Sequence, residues 1–403
     1  MDSLLRFKQI KYQQRKICAV CDRNLGKPLL DFPKFPITEI YIDHKPNERL
    51  GFIDQVFYFC ENCGHGQIGN IVSTDVLYNK SNYFFRTSQS QSARKVNDVF
   101  LSFIKSIIKR KRFDSILEIG CSDLYLLRKL ISFGKELIGI DPILNGEQKS
   151  FFNNKIKIFG DFFENFDLKT KSRGKTLVIS SHTLEHVEEP KTIIEKLLLD
   201  STDESIFVFQ FPGLETLVKD GRYDQIFHQH LQYFSVRSFS FLVERFGGEV
   251  IDYKVNYNLW GSLMIAFRKR KGRVNKNFTQ NRLSARQIKR GYNQFSLHMK
   301  NLGTYLKSLR GEKVVGYPAT LMLPVLSYHL NNDLSDLLCI IDSDQKKDGL
   351  YYLNLPIVIR SLKKIKDFSD INILMTAVNT GRVLLPVLER FSPKRIIFPL
   401  NTI

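Results

Sequence analysis

One stretch between Ser115 and Asp141 constrains the fold of this chain more than any other. An apolar, β-branched run ends in Glu118-Ile119-Gly120, a turn follows, and then a Leu-rich helix. A second apolar run, Leu137 to Ile140, then stops at an acid, Asp141, twenty-one positions after Gly120. Strand, loop, helix, strand and acid at this spacing are the layout of a dinucleotide-type α/β fold. The glycine lets backbone approach a ligand, and an acid at the tip of the second strand can bind both hydroxyls of a ribose. The opening is Glu-x-Gly rather than Gly-x-Gly-x-x-Gly, which points to adenosine without a pyrophosphate, as in S-adenosylmethionine.

The alternation continues downstream. Apolar runs at 115–119, 136–140, 156–159, 176–180 and 205–210, then 249–254 and 261–268, predict strands separated by helical segments. Such spacing implies a mostly parallel sheet covered on both faces. Ahead of it, Val96, Val99, Phe100, Phe103, Ile104, Ile107 and Ile108 recur at three and four, the period of an amphipathic helix. Its basic end, Lys109 to Arg112, suits a helix C-terminus. Residues 268–276 form a polar, basic seam, followed by a predicted helix of roughly 25–30 residues ending near Arg310.

The last hundred residues restart the pattern. Lys313 to Thr320 reads as a strand entering a loop, and Leu337 to Asp342 as a strand ending in an acid; Ile371–Met375 and Arg395–Phe398 read as further strands. The fold class expected is therefore α/β, with three parts: a metal-binding module over 1–75, a nucleotide-cofactor domain over 76–270, and a linker helix with a second Rossmann-like unit over 271–403. Gly316 alone is too little for a second nucleotide site.

The metal assignment rests on Cys18-x-x-Cys21 and Cys60-x-x-Cys63, with thirty-eight residues between the pairs. Two such knuckles supply four thiolates in a tetrahedron around zinc, and four sulfurs leave no open position, so the metal is expected to be structural. His65 lies just past the second knuckle. Cys121 and Cys339 are isolated and read as small buried hydrophobes. The N-terminus has no uninterrupted apolar core, and no stretch of about eighteen uncharged apolar residues exists, so the expected address is cytoplasmic, with no membrane span. A net charge of +19 favours an anionic partner, although a Lys-, Ile-, Phe- and Asn-rich composition also follows from an AT-rich genome.

Taken as an ordered set, these pieces resemble the deoxysugar C-methyltransferases of sugar-nucleotide pathways. The carriers are the two Cys pairs, the aromatic segment Tyr78 to Ser92, Glu118 to Asp123, and Ser180-Ser-His-Thr-Leu-Glu-His186. Phe227-His-Gln-His-Leu-Gln-Tyr-Phe-Ser235, Gly316-Tyr-Pro-Ala-Thr320 and Ile341 to Tyr351 complete it. The resemblance implies a zinc module, a class I methyltransferase domain and a C-terminal Rossmann-like domain. It implies S-adenosylmethionine held by Glu118, Gly120, Cys121 and Asp141, adenine near Gly160-Asp161-Phe162-Phe163, and His182 at the cleft edge. It implies a nucleotide-sugar or glycan-precursor substrate, deprotonated beside a ketone before carbon attacks the methyl. His228, His230, Gln229 and Tyr83 are the candidate catalytic residues.

Three departures stand out. The family's second loop glycine is Leu124 here, and a side chain there is expected to crowd the amino-acid end of the cofactor. The family's Tyr-His-Glu-His has become Phe227-His228-Gln229-His230, losing a hydroxyl and a carboxylate. These losses bring in O- or N-methylation of a sugar as a rival; the high charge brings in a zinc-ribbon RNA-binding or RNA-modifying protein, although the basic residues scatter along the chain, which argues against nucleic acid. Leu124 and Gln229 together bring in a scaffold that has lost the cofactor. His182-Thr-Leu-Glu185-His186 also fits an inverted-protease zinc motif, but it follows a buried strand, and no further ligands can be placed; His186 reads as structural.

Overall fold

The computed structural model describes residues 7–77, 87–144, 148–151, 154–171, 174–257, 260–272, 282–378 and 381–400. In the N-terminal module, β1 (Tyr12–Gln14) pairs antiparallel with β6 (Asn70–Val72). Beside them β2 (Leu30–Pro36), β4 (Phe52–Cys60) and β5 (His65–Ile68) form an antiparallel sheet. Pro33 sits where the β2–β4 register shifts, between Phe32 and Phe35, a tolerated place for a residue that cannot donate to the ladder.

The central sheet has eight strands. β7 (Phe113–Ile119), β8 (Gly134–Ile140), β10 (Ile156–Phe159), β11 (Thr176–Ser181) and β12 (Ile206–Pro212) run parallel in the order β10-β8-β7-β11-β12. β14 (Gly248–Asn256) and β15 (Ser262–Lys269) close one edge as an antiparallel hairpin, with β15 against β12. β9 (Gln148–Phe151) adds an antiparallel strand at the other edge. Crossovers that move outward from β7 in both directions make the tips of β7 and β11 the switch point where such folds bind ligands. This is the class I methyltransferase arrangement.

Period-two alternation sends neighbouring strand residues to opposite faces. Ile116, Leu137, Leu177 and Val208 pack beneath the helices Gln91–Ile108 and Tyr125–Leu130. Leu117, Ile138, Val178 and Phe207 pack beneath Pro190–Asp200 and Val236–Arg245. The cysteines Cys18, Cys60 and Cys63 belong to this second core, so the metal module is packed onto the central domain.

The C-terminal unit contains β16 (Lys313–Tyr317), β17 (Cys339–Asp342), β18 (Tyr351–Tyr352), β19 (Leu355–Ser361), β20 (Ile371–Met375) and β21 (Arg395–Ile397), with β21-β20-β16-β17-β19 parallel. The helix Ala285–Ser308 leads into it, capped by Ser284 and Gln287 in reciprocal hydrogen bonds. A Cβ at Gly303 would lie 1.8 Å from the Leu330 carbonyl oxygen, so only glycine permits this helix crossing.

Two short strands cross the expected boundaries. β3 (Tyr41–Ile42), from the N-terminal module, pairs with β18 and becomes the edge of the C-terminal sheet. β13 (Gln232–Tyr233), from the central domain, pairs with β5 and extends the N-terminal sheet. One apolar core accordingly runs through Phe32, Phe35 and Phe57, through Tyr223 and Ile226, and on to Phe295, Leu323 and Tyr352. The sequence blocks are contiguous along the chain, but their sheets are shared.

Candidate active site

A cavity of about 1090 Å³ opens at the tips of β7, β8 and β11. One end is built by the loop after β7. Gly120 has a φ of +76°, and a Cβ there would come within 2.1 Å of the Thr183 hydroxyl, so backbone must form this wall. Glu118 is buried at the strand end, and desolvation pushes its carboxyl well above the usual carboxylate range. Its Oε2, the Ser122 hydroxyl and Oδ1 of Asp123 are buried polar atoms with no hydrogen-bond partner among the described residues. Asp141 accepts from the Ser122 amide at 2.7 Å and the Ile143 amide at 3.1 Å, which fixes its carboxylate at the cavity wall. Unspent acceptors and donors around a glycine turn and a fixed acid suit an amino-acid-plus-ribose ligand such as S-adenosylmethionine.

Leu124 does not crowd this end. It adopts the left-handed conformation, φ 65° and ψ 24°, and turns its side chain into the core with Leu126 and Leu127 rather than into the cavity. The glycine usually found there relieves backbone strain; Leu accepts that strain and contributes packing in return. Cys121 serves both: its Sγ packs into the core, 2.8 Å from where a Cβ on Gly139 would lie, with burial raising its thiol pKa, and the residue also lines the cavity. Asp161 is exposed and caps its own turn, accepting from the Phe162 amide and Asn165; it is Phe162 and Phe163 that line the cavity.

The other end gathers residues from the β11–helix loop and the 227–230 segment. His182, at φ 51°, contacts Glu185 Oε1 through Nδ1 at 3.2 Å and the Ser262 hydroxyl through Nε2 at 3.3 Å, with its ring against Trp260. Desolvation pushes the Glu185 carboxyl up, but the His182 hydrogen bond and the neighbouring imidazoles outweigh it and hold the group below its ordinary range. The rings of His186 and His230 meet edge-to-face at 5.0 Å, and Phe227 lies 4.1 Å from His230. Desolvation lowers His230 to about 3.

The four candidate catalytic residues separate. His230 lines the cavity. His228 is fully buried elsewhere: Gln55 Nε2 approaches its Nδ1 at 2.9 Å and the Phe35 carbonyl lies 3.3 Å from its Nε2. Gln229 accepts from the Thr38 hydroxyl at 2.9 Å and donates to the Thr38 carbonyl at 3.4 Å. That pair of partners requires one acceptor and one donor, which an amide supplies and a carboxylate does not. His228 and Gln229 therefore clamp the 227–230 segment to the N-terminal module. Tyr83 lies outside the described residues.

Sequence reading missed four contributors. His186, read as structural, lines the cavity, with its Nδ1 2.8 Å from the Gln229 carbonyl. Glu39 reaches the wall from the N-terminal module, at φ 68°, and burial raises its carboxyl to about 7. Leu321 and Met322 close the far side from the C-terminal unit. The sequence carried a signal only for His186, inside the His-x-x-Glu-His motif.

Apart from the cavity, Cys18 Sγ lies 3.6 Å from Cys63 and Cys21 Sγ 3.5 Å from Cys60, with all four sulfurs within 4.8 Å of one another. Zinc–sulfur bonds of about 2.3 Å require sulfurs just under 4 Å apart, so these residues fit a closed tetrahedral zinc site. His65 is not a ligand; it is buried against Phe234 and bonded to Gln232.

Residues 89–253 match the family model described as a methyltransferase domain, and residues 18–78 match a zinc binding domain. The central sheet is a methyltransferase domain. The C-methyltransferase NovU of Streptomyces niveus is 23% identical over 255 residues, which cover 62% of this chain. The match spans 59% of that relative's length. Among solved structures, the N-methyltransferase NodS of Bradyrhizobium japonicum in complex with S-adenosyl-L-homocysteine is 14% identical, with 48% of this chain and 94% of that one covered, at a TM-score of 0.34. The magnesium protoporphyrin IX methyltransferase ChlM of Synechocystis with bound S-adenosylhomocysteine is 13% identical, covering 44% and 84%, also at 0.34. Among the described residues no helix is long and apolar enough to cross a membrane.

Proposed function

We propose that this chain methylates a nucleotide-linked sugar or related glycan precursor at carbon, using S-adenosylmethionine. The observation that carries this reading is the continuity of one cavity. It joins the Glu118–Gly120–Asp141 wall to the Glu185–His186–His230 wall, so that donor and acceptor can meet inside it. When bound, the cofactor supplies a methyl group already activated by a sulfonium. Asp141 would take the ribose hydroxyls, and the loop around Glu118, Gly120 and Cys121 the amino-acid end. His182 borders that site. Phe162 and Phe163 would flank the adenine in place of Asp161. His230, with His186 and Glu185 beside it, would receive the acceptor and accept its proton. Walls from three parts of the chain exclude water and size the pocket for more than a cofactor. The sugar is supported by the ordered motif set, and methylation at carbon by the C-methyltransferase relative.

Methylation at oxygen or nitrogen is the second reading. It is favoured by Phe227, which lines the acceptor end of the cavity without offering a hydroxyl.

Calorimetric titration with S-adenosylhomocysteine tests the cofactor site first, with micromolar binding expected. Methyl transfer to nucleotide sugars, followed by mass spectrometry, tests the acceptor. His230→Ala should cut turnover by about a hundredfold or more while leaving cofactor affinity within about twofold. Undiminished turnover in that variant would remove His230 from the reaction.

A further inference from the structure

The acceptor end of the cavity contains a donor set that proton transfer alone does not require. Glu185, His186 and His230 each present one ligand atom, and these atoms all lie within 4.8 Å of one another. Glu185 Oε2 and His230 Nδ1 are buried with no hydrogen-bond partner among the described residues, and Glu185 is 1% exposed. Leaving such acceptors unmatched carries a desolvation penalty that a cation between them would offset.

The outer contacts point the same way. The Gln229 carbonyl can only accept, so Nδ1 of His186 carries the proton and Nε2 carries the lone pair. The other oxygen of Glu185 is oriented by Nδ1 of His182. Metal-binding imidazoles and carboxylates are held in this way, each tied by a second contact that aims its remaining atom.

We propose that Glu185, His186 and His230 bind a divalent first-row transition cation on the cavity wall. Two imidazoles and one carboxylate make an open, three-ligand site, unlike the closed four-cysteine site. The three residues line the cavity, so an oxygen of the acceptor would complete the ion's shell, and the ion would anchor and polarise it. The inference rests on the reading of this cavity as the acceptor site, and it makes His230 a ligand that acts through the ion.

The experiment uses full-length protein with its cysteine site loaded with zinc. Manganese(II) binding is followed by electron paramagnetic resonance, and cobalt(II) by visible absorption. The expected result is a second ion per chain, bound at least about tenfold more weakly by Glu185→Gln and by His230→Ala, with zinc content unchanged in both. Unchanged zinc and a native circular dichroism spectrum show that the variants are folded. A single ion per chain in the unaltered protein overturns the proposal, as does a second ion held equally tightly by both variants. S-adenosylhomocysteine titration of the same samples separates the two claims. Cofactor binding without a second ion removes the ion and leaves the methyltransferase reading standing, whereas a second ion without cofactor binding does the reverse.

Discussion

The chain contains two strand–loop–helix–strand–acid units, and they use the polar atoms at their strand tips differently. In the central domain, Asp141 is held by two backbone amides at the cavity wall, and the loop beside it keeps Glu118 Oε2, the Ser122 hydroxyl and Asp123 Oδ1 unmatched. In the C-terminal unit, the corresponding Asp342 accepts from the Ala319 amide at 2.9 Å, the Asp344 amide at 2.8 Å and Lys347 Nζ at 3.2 Å. The loop carbonyls there are also taken: Lys347 and the Tyr41 hydroxyl donate to Ala319, and the Tyr352 hydroxyl to Thr320. The difference teaches that this scaffold makes a crevice, while the state of its polar atoms decides whether the crevice is a site. A ligand has to supply partners that the protein has left out.

The largest test of that contrast is a pair of substitutions. Asp141→Ala should weaken S-adenosylhomocysteine binding by at least about a hundredfold if Asp141 takes the ribose hydroxyls as proposed. Asp342→Ala should leave affinity within about twofold but cost about 2–4 kcal/mol in urea unfolding, because the Ala319 and Asp344 amides lose their acceptor and Lys347 keeps only the Ala319 carbonyl. Equal loss of binding in the two variants would erase the distinction.

The metal module touches both units, lining the open crevice through Glu39 and closing the other through Tyr41. Cys60→Ser should release zinc and lower stability by about 3 kcal/mol, with no particular step of the reaction affected. Full zinc content with an unchanged melting curve would show that the module does not depend on the metal.

A smaller effect is expected from Leu124→Gly. It relieves about 1 kcal/mol of left-handed strain but removes a buried side chain worth about 2–5 kcal/mol, for a net destabilisation with cofactor affinity changed less than about threefold. A large gain in affinity would mean that Leu124 reaches the cofactor after all. The smallest change, Tyr41→Phe, should cost about 1 kcal/mol and create no second nucleotide site. New binding of adenosine ligands would show that one hydroxyl kept that crevice shut.

Much of the frame was legible in the chain. The seven predicted strands of the central domain and the four C-terminal ones all appear, because their cues are local: alternation, β-branching and an acid after the last apolar residue. The 91–108 helix was readable from its period, and the cysteine knuckles from their spacing. Short edge strands such as Tyr41–Ile42 and Gln232–Tyr233 were not, since two residues carry no periodicity and pair only with what happens to lie beside them.

Sequence alone therefore determined most strands of the two large sheets, the glycine loop with its acid, and the four-thiol metal site. Tertiary structure alone decided which of two nearby histidines reaches the cavity. His228 is claimed by Gln55 across 173 residues of sequence, and Gln229 by Thr38 across 191. Tyr41 shuts the second crevice from 278 residues away. Backbone periodicity is set within a few residues, whereas burial and hydrogen-bond satisfaction depend on which distant groups the folded chain brings together.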